Sequence, residues 1–392
     1  MKLLRNLKLA LGGLLVAGLA ACGGGGGGGA DSGTLRLALT DAPSCGYDAV
    51  NVTIERVRVH QSSGASDTDG GWSEVVLNPA RRVNLLNLTN GVLDELGQTP
   101  LPTGKYTQLR LVLADNNGAN PLANSVVPTG SAEVALKTPS GQQSGVKVKI
   151  DIDIAANQLA DFVLDFDACK SVVVAGGSGK YLLKPQLTVI PRYVSGVAGF
   201  VDATLVTGNT SVSLQQGGVV IKATTPDSAG KFLLQPAAPG SYTLVLTAPG
   251  RTTYIVTNVA VAANTVTSVN ASGTPFNPPA SLSGTVNGTV SGTATAVDTL
   301  VRVLQPLTGG STVEVASRFV DGTTGNYSYP LVVNAPLVAP YVAAPNLLVF
   351  AADTAAAGKY TLKASLTGFA DKTVTLATLT SGATITTNFT FP

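Results

Sequence analysis

The chain has 392 residues, a formal net charge of +2, and only 12% charged side chains. Nucleic-acid binding rests on neutralising phosphates with a basic surface, and neither the charge balance nor any basic stripe supplies one. One histidine, one tryptophan and three cysteines limit the chemistry available, while the length allows two or three domains.

Lys2 and Arg5 precede an apolar stretch, residues 7–21, interrupted only by Lys8 and glycines. That is too short to span a bilayer and stay, and it fits a signal peptide over residues 1–21. It ends Leu19-Ala20-Ala21-Cys22, which resembles the lipobox of bacterial lipoproteins. The resemblance implies a diacylglyceryl thioether on Cys22; the competing reading is an ordinary signal peptide with an incidental cysteine. Several acyl chains hold far more firmly than one, so the expected partner is a membrane, through the N-terminal lipid. Gly23 stands where inner-membrane lipoproteins carry Asp, which implies the outer membrane. Residues 22–33 contain an unbroken run of seven glycines and are expected to form a coil reaching on the order of 18 Å.

After lipidation Cys45 and Cys169 remain, and an even pair in an oxidising compartment is expected to be bridged. Closing so long a loop would add roughly 4 to 5 kcal/mol in the chain-entropy description. It would also place both residues in one domain.

From Leu35 onward the apolar period is two, with Gly, Pro, Asn and Asp clusters at short intervals, so the fold class is all-β. In residues 50–60 the inward set begins Val50, Val52, Ile54 and resumes Val57, Val59. That parity slip across Glu55-Arg56 predicts a β-bulge. Residues 83–96, with Leu85, Leu86, Leu88, Leu93 and Leu96, read as weakly helical. The clearest strand is 147–154, where Ile150, Ile152 and Ile154 alternate with Lys149, Asp151 and Asp153. A second, 160–168, is expected to turn Phe162, Leu164 and Phe166 inward and Asp161, Asp165 and Asp167 outward. The two are expected to form a hairpin.

Asp41-Ala42-Pro43, Gly71-Trp72, Gly104-Lys105-Tyr106, Asp165-Phe166-Asp167 and Leu183-Lys184-Pro185 together resemble a domain-of-unknown-function family found behind lipobox signals. It covers roughly residues 34–195, an N-terminal antiparallel β domain without an established activity to carry over. Beyond Ser195 charges become sparse and two related blocks appear. The first holds Gly230-Lys231-Phe232 and Pro239-Gly240-Ser241-Tyr242; the second holds Gly325-Asn326-Tyr327 and Gly358-Lys359-Tyr360. Both resemble the transthyretin-like regulatory domain of carboxypeptidases, implying two tandem β-sandwich modules, 196–273 and 280–392, joined by a Pro-rich linker, 274–279. The second carries an apolar insertion, 331–357, which its prolines bar from forming a transmembrane helix. Extra edge strands or an exposed partner surface are the two readings of it.

Asp151 and Asp153 with Asp165 and Asp167 are the candidate metal or acid–base carboxylates, suited to calcium if their strands are neighbours. The plainer reading is a solvated sheet face paired to Lys147, Lys149 or Lys170. Asp67-Thr68-Asp69-Gly70 copies only part of a calcium loop, and Gly176-Gly177-Ser178-Gly179-Lys180 only part of a phosphate loop, so both read as turns. His60 is expected to satisfy a local hydrogen bond. Trp72 with Tyr47, Tyr106 and Tyr181 is a candidate sugar-stacking platform, against the simpler reading that Trp72 caps the first core. No enzyme site is recognised and no cofactor is expected. The expected role is a non-enzymatic envelope or surface module whose partner is an envelope protein or polysaccharide.

Overall fold

A computed structural model describes residues 32–41, 46–138, 145–176, 180–206, 209–293 and 295–392. The signal segment, Cys22, the glycine run through Gly29 and Cys45 lie outside the described residues. Period-two burial recurs along the strands, and among the described residues the buried apolar side chains collect into one core per module and a smaller fourth cluster, Val245, Ile255, Leu307, Val313 and Ala356, shared by the last two.

The first module comprises β1 (Ser32–Asp41), β2 (Tyr47–His60), β3 (Ser73–Asn84), β4 (Asp94–Pro102), β5 (Gly104–Leu113) and β6 (Ser125–Pro128). It continues with β7 (Val134–Lys137), β8 (Val146–Ile154), β9 (Leu159–Phe166), β10 (Val172–Ala175), β11 (Lys180–Leu183) and β12 (Leu187–Pro191). One sheet runs β12-β9-β1-β4; the other runs β10-β11-β7-β6-β2-β5-β8, with β3 also on β2. Their inner faces enclose a core that includes Leu37, Val52, Leu109, Ile152 and Phe166. Two parallel pairings, β1 with β9 and β11 with β7, stand among the antiparallel ones.

β8 alternates buried and exposed without interruption from Val146 to Ile154, as its sequence predicts. The bulge in β2 falls between Ile54 and Arg56, against both neighbouring strands. Within residues 83–96 helix is confined to a 3-10 turn, Leu85–Leu88, capped by the Asn84 side chain and flanked by β3 and β4.

The expected hairpin of β8 and β9 does not form. β8 pairs with β5, whereas β9 lies between β1 and β12 in the opposite sheet. The connecting loop is taken over by β1, since Asn157 N–H donates to Ser32 O and Thr34 N–H to Gln158 O. β9 also ends at Phe166, because Asp167 caps a single helical turn, Ala168–Ser171, by accepting from Lys170 N–H.

The middle module consists of β13 (Gly196–Phe200), β14 (Ser211–Gln216), β15 (Val219–Thr224), β16 (Lys231–Leu234), β17 (Gly240–Thr247), β18 (Tyr254–Val261) and β19 (Val266–Ser268). The last consists of β20 (Ser283–Ser291), β21 (Leu300–Pro306), β22 (Thr312–Phe319), β23 (Asn326–Val332), β24 (Leu337–Pro340) and β25 (Ala351–Ala352). It closes with β26 (Thr361–Ser365), β27 (Lys372–Thr375), β28 (Thr384–Thr386) and β29 (Phe389–Thr390). Each packs two sheets face to face around its own core. The Pro-rich stretch between them is itself anchored, for Phe276 is buried in the middle core and bridges to Val201.

The insertion 331–357 does form extra strands, but on the neighbour's sheet. β24 adds in parallel to β18 of the middle module, and β25 adds to β24. Its loop carries Phe350 onto Tyr254 and Phe276. A main-chain ladder and an aromatic cluster therefore join the last two modules, a strand addition made within one chain. Among the described residues no helix is long and apolar enough to cross a membrane.

Candidate functional site

The three modules meet around residues 165–171. Parallel pairing of β1 and β9 brings Asp41 and Asp165 to the same end of the first sheet. There Asp41 Oδ1 accepts from Ala168 N–H at 2.9 Å. The helical turn is tightened by Ser171 Oγ, which donates to Asp167 O and accepts from Gln186 N–H. Asp41 is fully buried, and that burial pushes its carboxyl well above the ordinary value, against the opposing pull of Ala168 N–H.

From β15 of the middle module, Lys222 reaches Asp165 with Nζ 2.7 Å from Oδ1, both side chains being less than a tenth exposed. Burial raises the Asp165 carboxyl despite the attraction of Lys222. From β22 of the last module, Glu314 lies 3.6 Å from Lys170 Nζ and 2.5 Å from Arg302 Nε. Burial lowers the affinity of Lys170 for its proton, but Asp167 and Glu314 outweigh it and hold the group above its usual range. Gln215 of the middle module then treats Glu314 as a strand partner. Its Nε2 donates to Glu314 O and its Oε1 accepts from Glu314 N–H, each at 2.8 Å.

A cavity of about 370 Å³ opens among these groups, lined by Asp165, Lys170, Lys222, Arg302, Glu314 and Lys363 with others. Its charges answer one another across module boundaries, so the arrangement spends its electrostatics on holding three modules in fixed relation. Around it Asn90 binds Thr224 and Leu233 of the middle module. Lys184 binds Val297 O and Asp298, and Gly176 N–H donates to Asp321 Oδ2, in the last.

The four aspartates expected as one carboxylate site are separated. Asp151 and Asp153 point to solvent from β8, where Asp151 pairs with Lys105 at 2.7 Å. Asp165 and Asp167 lie in the junction, the first on the outer face of its sheet but buried there under Lys222. The carboxylates fall in different sheets because β8 and β9 do. Among the described residues no group of three His, Cys, Asp or Glu side chains is placed to hold a metal.

The aromatic platform does not assemble either. Tyr106 is buried in the first core, and Tyr181 meets Tyr47 edge-on at 6.1 Å. Tyr47 and Trp72 lie near opposite ends of β2, a strand of 14 residues, which separates them by roughly 40 Å. Trp72 does not cap the core. It lies at the β2–β3 connection with Arg58 and Arg110 against its ring, its indole N–H donating to Ser66 O. His60 is held locally, accepting from Ser62 N–H and meeting Gly70 O at 3.0 Å. In the same loop Asp69 accepts from Ser66 N–H and Oγ, closing a turn. Residues 177–179 of the phosphate-loop-like run lie outside the described residues. Cys169, on the helical turn, is disulfide-bonded.

Lys222, Arg302 and Glu314 were not singled out by motif, and Asp41 entered only through Asp41-Ala42-Pro43, as part of the family resemblance. The available signal was a lone charge inside an otherwise apolar strand, as in Val219-Val220-Ile221-Lys222-Ala223 and Val313-Glu314-Val315. A charge there is buried with a partner or not at all.

The fold and junction define a class: an all-β protein of three sandwich-like modules docked around shared ion pairs. Residues 32–185 match a family described as a domain of unknown function, DUF4382. No curated protein matches. Among solved structures, a chain of a type II cohesin–X-dockerin complex from Acetivibrio cellulolyticus is 23% identical, with TM-score 0.19; the match covers 22% of this chain and 58% of that one. The Bacillus anthracis TIE protein is 13% identical over 92% of this chain and 50% of its own, with TM-score 0.18. A streptococcal ancillary pilin is 10% identical over 91% and 99%, with TM-score 0.14. This chain thus spans less than two thirds of the first two, and likeness at this level carries no functional argument.

Proposed function

We propose that this chain is an exported lipoprotein, attached to the outer membrane through Cys22, acting as a non-enzymatic structural or binding module of the cell envelope. The observation that carries this reading is the direction of β1. The strand starts at Ser32, on the side of the glycine run, and ends at Asp41, in the junction. Contacts to the other modules through Asn90, Asp165, Lys170, Gly176 and Lys184 gather toward the Asp41 end. Ten extended residues span roughly 30 Å, so a lipid at Cys22 would sit far from the docked pair. The first module then serves as a base, and the strand-linked middle and last modules are held outward to meet an envelope protein or polysaccharide.

A bridge between Cys45 and Cys169 belongs to the same reading, since it would fasten the chain leaving β1 to the helical turn in the junction. Peptide mapping without reduction tests it, and a Cys169 peptide joined to any other residue removes it.

Palmitate labelling of cells carrying the wild-type chain or Cys22→Ser, with membrane fractionation and protease treatment of intact cells, tests the anchor. Label in the outer membrane, lost in Cys22→Ser, supports it. Cleavage by external protease adds surface display, whereas full protection turns the modules to the periplasm. Absence of label from the wild type overturns the anchoring.

A further inference from the structure

We infer that Lys222 and Asp165 are the site of a covalent cross-link, an amide between the Lys222 amine and the Asp165 carboxyl that staples the middle module to the first. Other ion pairs of the described residues, such as Lys105–Asp151 and Arg36–Asp161, keep water on at least one partner. Lys222 and Asp165 keep almost none, with 1% and 9% of their side chains exposed. Removing water from a salt bridge erodes its advantage over the neutral amine and acid, which are the species that condense. The atoms are also in place. With Nζ 2.7 Å from Oδ1, the carboxyl carbon lies within roughly 3.5 Å of the nitrogen, a near-attack distance.

Burial in the junction lets the two groups meet in one orientation. Lys222 projects from β15, whose other partner at that register is Leu214 of β14. Asp165 stands between Thr40 of β1 and Thr188 of β12. The condensation needs no oxidant and no activated donor. The bond from Nζ to Cγ forms as a Cγ–Oδ bond breaks, the nitrogen of the ion pair gives up two protons, and the departing oxygen carries them away as water. A second buried carboxyl, Asp41, stands on the opposite, core-facing side of β1, fixed at Oδ1 by Ala168 N–H, and takes no part in the bond. Asp41 Oδ2 has no hydrogen-bond partner among the described residues.

The test is the mass of the full purified chain after reduction and alkylation of its cysteines. The expected result is a species lighter by one water than its covalent formula, with peptides containing Asp165 and Lys222 recovered as one branched product. The Asp165→Ala and Lys222→Ala variants are expected at full formula mass. If these variants fail to fold, the wild-type mass and peptide map still decide. A wild-type chain at full mass, with the two residues in separate peptides, overturns the cross-link, as does a water loss mapped elsewhere. None of these results depends on whether Cys22 carries lipid.

Discussion

Tyr254 and Phe350 stack with ring centroids 4.2 Å apart, although Tyr254 opens a strand of the middle module and Phe350 rides on a loop that leaves the last one. Phe276 meets both edge-on, so a residue of the linker completes the cluster. Phe350→Ala removes a half-buried ring and its stacking, and is expected to lower stability by about 2 kcal/mol. Urea denaturation followed by circular dichroism measures it. An unchanged midpoint would mean that the β24–β18 ladder holds the insertion without its aromatic anchor.

Gln215 closes both main-chain hydrogen bonds of Glu314 across the boundary of two modules. Gln215→Ala leaves a buried N–H and C=O unpaired and should cost about 2 to 3 kcal/mol. Gln216→Ala, one residue along the strand at an exposed position, is expected to change stability by less than about 0.5 kcal/mol. Equal effects in thermal unfolding would remove the role assigned to the Gln215 bridge.

Asp321 carries a pH signature of the contact between the first and last modules. Partial burial raises its carboxyl, but N–H groups of Thr324, Thr323 and Gly176 and the Thr324 hydroxyl outweigh it, so the folded value lies below the ordinary 3.8. A depressed carboxylate binds fewer protons folded than unfolded. Its contribution is therefore complete above the unfolded value and is lost as pH falls through the folded one. Asp321→Ala is expected to be less stable than wild type at pH 7, and the gap should shrink as pH falls below 3.8. A gap constant from pH 7 to strongly acidic solution would contradict the assignment; urea midpoints across the pH series supply the reading.

Trp72 is the single tryptophan, so its emission reports one place, the β2–β3 connection of the first module. The guanidinium carbons of Arg58 and Arg110 lie 4.6 and 5.1 Å from its ring. Two cations beside the ring favour an anionic quencher, so iodide is expected to quench more steeply than caesium at low ionic strength, with the difference fading as salt screens it. The emission should also be unchanged in Phe350→Ala, whose damage lies in other modules. Stronger quenching by caesium would contradict the two cation contacts.

Much of the fold is written in local pattern. The unbroken alternation of residues 146–154 makes β8, and the slipped parity at Glu55-Arg56 makes the bulge in β2, because side-chain period and backbone register are properties of the strand itself. The all-β class follows from the same local evidence, and the prolines of residues 331–357 exclude a long helix there without saying which sheet its strands join.

Pairing was decided elsewhere. Asn157, at φ 58°, and its neighbours look like a hairpin turn between β8 and β9. Yet β1, distant in sequence, offers β9 a parallel ladder eight residues long and captures the loop with its own main chain. A period of two states which side of a strand is apolar, not which strand lies beside it, and it cannot distinguish water from another module on the polar side. That is why Asp161 and Asp165 share one sequence pattern but not one environment, the second being covered by Lys222. The sequence alone determined most of the strands and their apolar faces. Only the tertiary structure decided that lone charges in apolar strands would meet in one junction, because burying a charge requires a partner and the partners came from three modules.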